Sequence, residues 1–350
     1  MGRSLAELIE GYSCVAIIGM EKNAGKTTVL NHLLSSRPPV VQAITSIGYD
    51  GEDTDQVTGT DKPSIYVGCG TMVATASSLL GQCDFTRELL RFTGFHTPMG
   101  EVVITRARSD GFAQIAGPST TAQMSALISM LHELGATQVL VDGAAARKST
   151  AAIASSEACI LATGAAFSPN SDDIVEQTRH YTGLLTLPEF KSDAAFTCKS
   201  EDANNCILLD QDGNICGRVS ALSDECADQI AGRSGQPTTA LFNGAVTRPM
   251  LQRLLDKCRR LEWLQLVAED GTRYLINSRQ KCDLIDRGAR LAVRRQVNLI
   301  AVTVNPTAPS GLKLDGAELC RNLSEKINLP IFDVCAAQNQ TFGRKAPQHA

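Results

Sequence analysis

Ser13-Cys14-Val15-Ala16-Ile17-Ile18-Gly19, running on into Met20-Glu21-Lys22-Asn23-Ala24-Gly25-Lys26-Thr27-Thr28, is the stretch on which the fold turns. The first seven residues are a short apolar run rich in Val and Ile, the pattern of a buried strand. From Gly19 the chain fits GxxxxGK[ST], a loop that curls so that successive backbone N–H groups point at phosphate oxygens. The chemistry assigns a part to each residue type. Gly19, Glu21, Lys22, Asn23 and Ala24 form the curl, and Gly25 lets the backbone approach the phosphates closely. Lys26 brings a cation to the β- and γ-phosphates, Thr27 offers a hydroxyl to Mg²⁺, and Thr27 with Thr28 opens a helix whose positive end faces the anion. That helix is expected over Thr27–Ser36, with Pro38 and Pro39 breaking it. Val40–Gly48 then reads as a second strand, completing a strand–loop–helix–strand unit. ATP with Mg²⁺ is the expected cofactor pair.

Such a site also needs an acid at the end of a neighbouring strand, to hold the Mg²⁺ shell or polarise water. Asp142, closing the run Val139-Leu140-Val141-Asp142 before Gly143, is the candidate; a helix cap or turn residue is the plainer alternative. Asp50 follows the second strand in an acidic loop with Glu52, Asp53 and Asp55. A carboxylate there could lie near the γ-phosphate and move with nucleotide state, or the Asp-Gly pair could be an ordinary turn. Lys26, Asp50 and Asp142 are thus the catalytic candidates, with Thr27 and Asp142 at the metal. Asn305-Pro306 follows a predicted strand, where open α/β sheets hold ligands, and could contact a base or a partner as well as simply turn. Asp315, Glu318 and Glu325 lie on a predicted helix and read as a solvated face rather than a metal patch.

Outward from this centre, strands and helices alternate. Ser4–Ile9 reads as a short capped helix, with Glu7 three residues after Ser4. Residues 49–63 are a polar loop, 64–68 a short strand and 71–80 a short helix. Extended segments around Gly94, Gly100 and Gly111 predict an antiparallel excursion at about 85–116. Thr120–Leu134 is a helix with Met124, Leu127, Ile128 and Leu131 on one face, ended by Gly135. Residues 138–141 and 158–162 are strands. The pattern weakens between Leu185 and Gly213, where a subdomain boundary is placed. Strands at 238–242, 264–267, 298–304 and 330–334 and helices at 248–261 and 315–327 make the rest α/β too. The expected architecture is a phosphate-loop domain over 1–190, a C-terminal α/β region over 191–340 and a loose tail over 341–350. Its main sheet is mostly parallel and flanked by helices.

The composition agrees. The chain's 350 residues suffice for a sizeable core, and with aromatics at 5% that core must be aliphatic, as buried parallel strands require. A net charge of −4 argues against a nucleic-acid partner, and Arg287, Arg290, Arg294 and Arg295 read as a solvated face or subunit contact. The 12 Cys residues include no CxxC pair, so reduced, buried thiols are expected rather than a disulfide or metal framework. No stretch approaches ~18 apolar residues and the N-terminus is unlike a signal peptide, so a cytoplasmic protein without membrane contact is expected.

Taken together, GMEKNAGKTT, the aspartate after the second strand (Asp50) and VLVDG at 139–143 resemble the SIMIBI class of P-loop NTPases over roughly residues 10–165. That class includes dethiobiotin synthetases, MinD/ParA ATPases and chaperones of metal and cobalamin enzymes. The resemblance implies a role for Asp50 in activating the attacking water. MinD/ParA members carry a signature Lys five residues before the counterpart of Lys26; Glu21 holds that place here, and Lys22 lies one later. GTP-binding members carry NKxD, for which Gln280-Lys281-Cys282-Asp283 is only a near miss, so ATP is favoured over GTP. A narrower resemblance runs through TSIGYDGEDTDQVTGTDKP (45–63), VATA (73–76), VDGAAARKS (141–149) and VTVNPTAPSG (302–311). These look like the small subunit of the lysine 5,6-aminomutase reactivase. That family implies a nucleotide-dependent chaperone that restores an adenosylcobalamin-dependent aminomutase, with the aminomutase and a MutS-like ATPase subunit as partners. A dethiobiotin-synthetase-like ligase or kinase acting on a small molecule is the alternative, and a scaffold that binds without hydrolysis is a third. No His lies in a DxHxxG context, so no direct cobalamin lower-ligand site is expected.

Overall fold

The computed structural model describes residues 4–36, 40–48, 64–145, 150–191 and 204–336. The expected acidic loop with Asp50 and the whole of the expected tail over 341–350 lie outside them. The described residues fall into two units. One is drawn from the chain up to Arg179 and again from Asn298 onward; the other is His180–Val297.

The first unit opens with helix α1 (Leu5–Ile9). Ser4 Oγ accepts from Glu7 N at 3.2 Å and Glu7 Oε2 from Ser4 N at 2.7 Å, the reciprocal cap read in the sequence. Strand β1 (Cys14–Gly19), every residue buried, leads through the Gly-rich loop to α2 (Lys26–Ser35) and β2 (Gln42–Ser46). After β3 (Ile65–Val67) come β4 (Met72–Ala76) and a 3₁₀ turn over Ser77–Gln82. A helix was expected at 71–80. All five residues of β4 are buried between neighbouring strands, and that two-sided burial overrides the helix preference of Ala74 and Ala76. The antiparallel excursion takes the form of a hairpin, β5 (Arg87–Thr97) and β6 (Gly100–Ala107), followed by the short β7 (Gly111–Ala113), which pairs with β3. Helix α3 (Thr121–Glu133), β8 (Gln138–Ala145), α4 (Thr150–Ser155), β9 (Ala158–Gly164) and α5 (Ser171–Leu185) complete this part.

The second unit takes up the chain within α5. It contains β10 (Asn205–Leu209), β11 (Ile215–Ser220), α6 (Glu225–Ala231), β12 (Thr238–Phe242), β13 (Val246–Thr247) and α7 (Arg248–Lys257). Strands β14 (Leu264–Ala268) and β15 (Tyr274–Leu275), helix α8 (Ser278–Asp286) and strand β16 (Arg290–Val293) follow. Its sheet has the order β11-β10-β12-β14-β16, parallel from β12 to β16 and antiparallel at β10 and β11. Ile230, Leu251, Leu254 and Leu284 from the helices pack on Phe242, Leu266 and Leu291 from the strands. The basic residues are not simply a solvated face. Arg295 reaches the fully buried Asp270 carboxylate at 3.2 Å, Arg294 bonds Asn243 Oδ1 at 2.5 Å, and Arg287 donates to the Cys258 carbonyl at 2.8 Å.

The chain then returns to the first unit. Strand β17 (Leu299–Asn305), helix α9 (Gly316–Lys326) and strand β18 (Ile331–Asp333) join its sheet, whose order is β18-β17-β9-β1-β8-β2-β4-β6-β5. Every pairing from β18 to β4 is parallel, and the β5–β6 hairpin closes the far edge antiparallel. The expected C-terminal region over 191–340 is therefore divided: residues from 298 extend the first sheet, and the second unit is an insertion between α5 and β17. Asp315 serves as a helix cap, accepting from Ala317 N and Glu318 N at 2.9 and 3.0 Å. No helix among the described residues is long and apolar enough to cross a membrane.

The cysteines divide by burial. Cys69, Cys216 and Cys282 are exposed, whereas Cys14, Cys83, Cys159, Cys206, Cys226 and Cys258 are buried. Burial pushes the Cys14 thiol up to about 12, helped by Cys159 and Glu157. Alkylation of the native protein at about pH 8, mapped by peptide mass spectrometry, should label Cys69, Cys216 and Cys282 first. Cys14 should react only after denaturation; early labelling of Cys14 would contradict the burial described here.

Candidate phosphate-binding site

β1 lies between β8 and β9, so the loop leaving it opens at the carboxyl edge of a parallel sheet with strands on both sides. That edge is where open α/β folds take ligands. Gly25, the residue before α2, has φ +98°, and no side chain caps the helix. The first-turn amides of α2 therefore face outward with the positive helix end behind them. A Cβ on Gly25 would fall 2.8 Å from Asn305 Cβ, so both its backbone angle and its surroundings demand glycine. Asn23 also has positive φ, at 62°. A Cβ on Gly19 would lie 3.0 Å from Lys26 Cγ and 3.1 Å from Glu21 O. The Lys26 stem thus runs back across the mouth of the loop. Glu21 and Lys22 are exposed, Ala24 is buried, and Lys26, Thr27 and Thr28 are half-buried. Residues Gly19 to Thr28 join the end of β1 to the first turn of α2.

Asp142 sits on β8 in register with Ile17 of β1 and Ser46 of β2. Leu140, Ile17 and Ile44 share a core with Leu30 of α2, so strand alternation puts Asp142 on the face that α2 covers, beside the start of the loop. Asp142 does not end its strand, because β8 runs on to Ala145. Gly143 makes that possible: a Cβ there would fall 2.8 Å from the Ile17 carbonyl, at the point where β1 and β8 shift register. The Asp-Gly pair is a close strand crossing and not a turn. Asp50 lies outside the described residues.

Asn305 ends β17 against Gly25. Its Oδ1 accepts from Thr307 N at 3.1 Å and from the Cys335 thiol at 3.3 Å. Its carbonyl accepts from Ala165 N at 2.9 Å. With Oδ1 engaged, the side-chain amide nitrogen is turned toward the loop, 3.3 Å from where a Gly25 Cβ would stand. Gln280-Lys281-Cys282-Asp283 falls instead inside helix α8 of the other unit, with Gln280 Nε2 bonded to the Arg248 carbonyl at 3.0 Å.

Two anchors of the loop carried no sequence signal. Met20 N donates to the Ala162 carbonyl of β9 at 2.9 Å, and Met20 Sδ accepts from Thr178 of α5 at 3.1 Å. Met20 occupies a free position of the motif, and α5 was not anticipated. A separate cavity of about 310 Å³ lies at the opposite, amino-terminal ends of β2 and β4, between Leu34, Val41, Gln42, Thr71 and Asp110, and takes no part in this site. Among the described residues, no group of three His, Cys, Asp or Glu side chains could hold a metal by itself.

Gly25→Ala should cost about 1–3 kcal/mol in backbone strain alone and abolish phosphate binding while β1 and α2 persist. Thermal melts with and without Mg-ATP check this, and a variant still stabilised by Mg-ATP would contradict the geometry. No protein-family model matches the chain, and no curated protein matches it.

Proposed function

We propose that this chain binds ATP with Mg²⁺ at residues 19–28. The observation that carries the reading is the uncapped start of α2 at left-handed Gly25, with the Lys26 stem folded back over Gly19 and Asp142 on the neighbouring strand. An anion at a helix start is held by oriented amides and by the helix dipole, and a lysine beside it neutralises charge on the terminal phosphates. Thr27 and Asp142 are the residues that would hold Mg²⁺, which offsets charge developing on the phosphate oxygens when bound. Lys26 gives the β- and γ-phosphates a charged hydrogen-bond donor. Asn305, with its amide nitrogen directed at the loop, lines the same edge. ATP is preferred to GTP because the one NKxD-like run lies in helix α8.

The reading extends to a nucleotide-dependent reactivating subunit for an adenosylcobalamin-dependent aminomutase of the lysine 5,6-aminomutase type, acting with a MutS-like ATPase. The four phrases quoted above support it. So does an architecture with more than a phosphate site needs: an inserted second unit and a long edge hairpin that offer surface for a protein client. In this reading the chain's own residues bind nucleotide, and the change of occupancy alters its grip on the client.

Calorimetric titration with Mg-ATP and Mg-GTP should give micromolar ATP binding, with Lys26→Ala weaker by about tenfold or more. Hydrolysis should be slow alone and rise on adding an inactivated aminomutase. Stimulation by a small carboxylic acid in place of any protein would instead identify a dethiobiotin-synthetase-like enzyme. No binding of either nucleotide by folded protein would overturn the proposal.

A further inference from the structure

The phosphate loop is tied down at its first residue by a hydroxyl chain that the phosphate-binding reading does not require. Thr163, at the end of β9, lies 3.0 Å from Thr178 of α5, oxygen to oxygen, and Thr178 Oγ1 lies 3.1 Å from Met20 Sδ. Both threonines are fully buried. The direction of the chain follows from the atoms. A thioether sulfur has no hydrogen and can only accept, so the single Thr178 proton goes to Met20. Thr178 must then accept in its contact with Thr163, and Thr163 donates. Each hydroxyl proton has one destination, and none is left over.

The neighbouring residue of β9 does the same for the backbone, since the Ala162 carbonyl takes the Met20 N–H at 2.9 Å. Consecutive residues of one strand thus fix both the main chain and the side chain of Met20, directly after Gly19. A buried hydroxyl relay is costly to break, because each lost partner leaves a desolvated polar group. It also removes freedom from a loop that must be ordered to present its amides, and pre-ordering a loop raises affinity by reducing what binding must still organise.

We infer that Thr178, oriented by Thr163, is a positioning residue that holds the phosphate loop in its binding shape through the Met20 sulfur. The inference rests on the reading of residues 19–28 as an ATP site.

The test compares Mg-ATP affinity by calorimetry and apo melting temperature in the full chain for wild type, Thr178→Val, Thr178→Ser, Met20→Leu and the Thr178→Val/Met20→Leu double variant. Thr178→Val keeps the shape but strands the Thr163 proton in the interior, so it is expected to lower both affinity and melting temperature. Met20→Leu removes the acceptor of the buried Thr178 proton while keeping an apolar side chain of similar size, so it too should lower the apo melting temperature somewhat while the chain stays folded. Thr178→Val and Met20→Leu should each weaken Mg-ATP by about tenfold, and the double variant no further than the weaker single, because both remove one contact. Thr178→Ser, which restores the hydroxyl, should bind within about twofold of wild type. Wild-type affinity in folded Met20→Leu, or additive losses in the double variant, would overturn the inference alone. Failure of wild type to bind Mg-ATP would overturn the site reading and this inference with it.

Discussion

The left-handed backbone at Gly25 is the constraint around which the carboxyl edge of the first sheet is arranged. At φ +98° the chain turns from the loop into α2 without a Cβ, and the room thus left is taken by Asn305 from β17. A side chain at 25 would meet both obstacles together, strain in its own dihedrals and contact at 2.8 Å with a neighbouring strand. The loop and its neighbours meet around that turn. No side chain caps the start of α2, the missing Cβ at Gly19 leaves room for the Lys26 stem, and the missing Cβ at Gly25 lets β17 come close enough to turn an amide nitrogen toward the loop.

The surrounding strands supply the remaining wall by the same means, close approach at chosen points. Gly143 lets β8 pass the Ile17 carbonyl, which is where the β1–β8 register shifts and where Asp142 is set beside the loop. β9 gives its Ala162 carbonyl to Met20 N, and its Thr163 hydroxyl meets Thr178, whose own hydroxyl reaches Met20 Sδ. The site is therefore a property of four strands in register, β17, β9, β1 and β8, and not of the loop alone.

What was legible in the sequence was what is local. Strand β1, the loop and α2 announce themselves because strand burial, loop curl and helix start follow one another within 22 residues, Cys14–Ser35. The capping box at Ser4 and Glu7 was readable for the same reason, and so were the strands at 238–242 and 264–267. Residues 71–80 were misread as a helix because a short apolar run containing Ala does not distinguish a buried strand from a helix; only the neighbours of β4 decide it. Helix α5 escaped notice because Thr178, Thr182 and Gly183 weaken its helical preference. The weak stretch between Leu185 and Gly213 suggested one boundary, whereas the units part at 179/180 and again at 297/298. That β17 rejoins the first sheet is a matter of strand order, which no local pattern records. Asn305 was noticed as a strand end, but its contact with Gly25 depends on that same long-range return.

The insertion has a consequence for how the molecule is made. As the chain leaves the ribosome, β1, α2, β8 and β9 emerge well before β17, with the second unit between them. At about 5–20 residues per second, the roughly 130 residues between Gly164 and Leu299 take on the order of ten seconds. During that interval the outer edge of β9 is an unpaired, mostly apolar strand, the kind of edge on which chains pair wrongly. The nascent protein thus carries the loop of residues 19–28 before it carries the strand that packs against Gly25. That edge is closed only when Leu299–Asn305 arrives to pair with it.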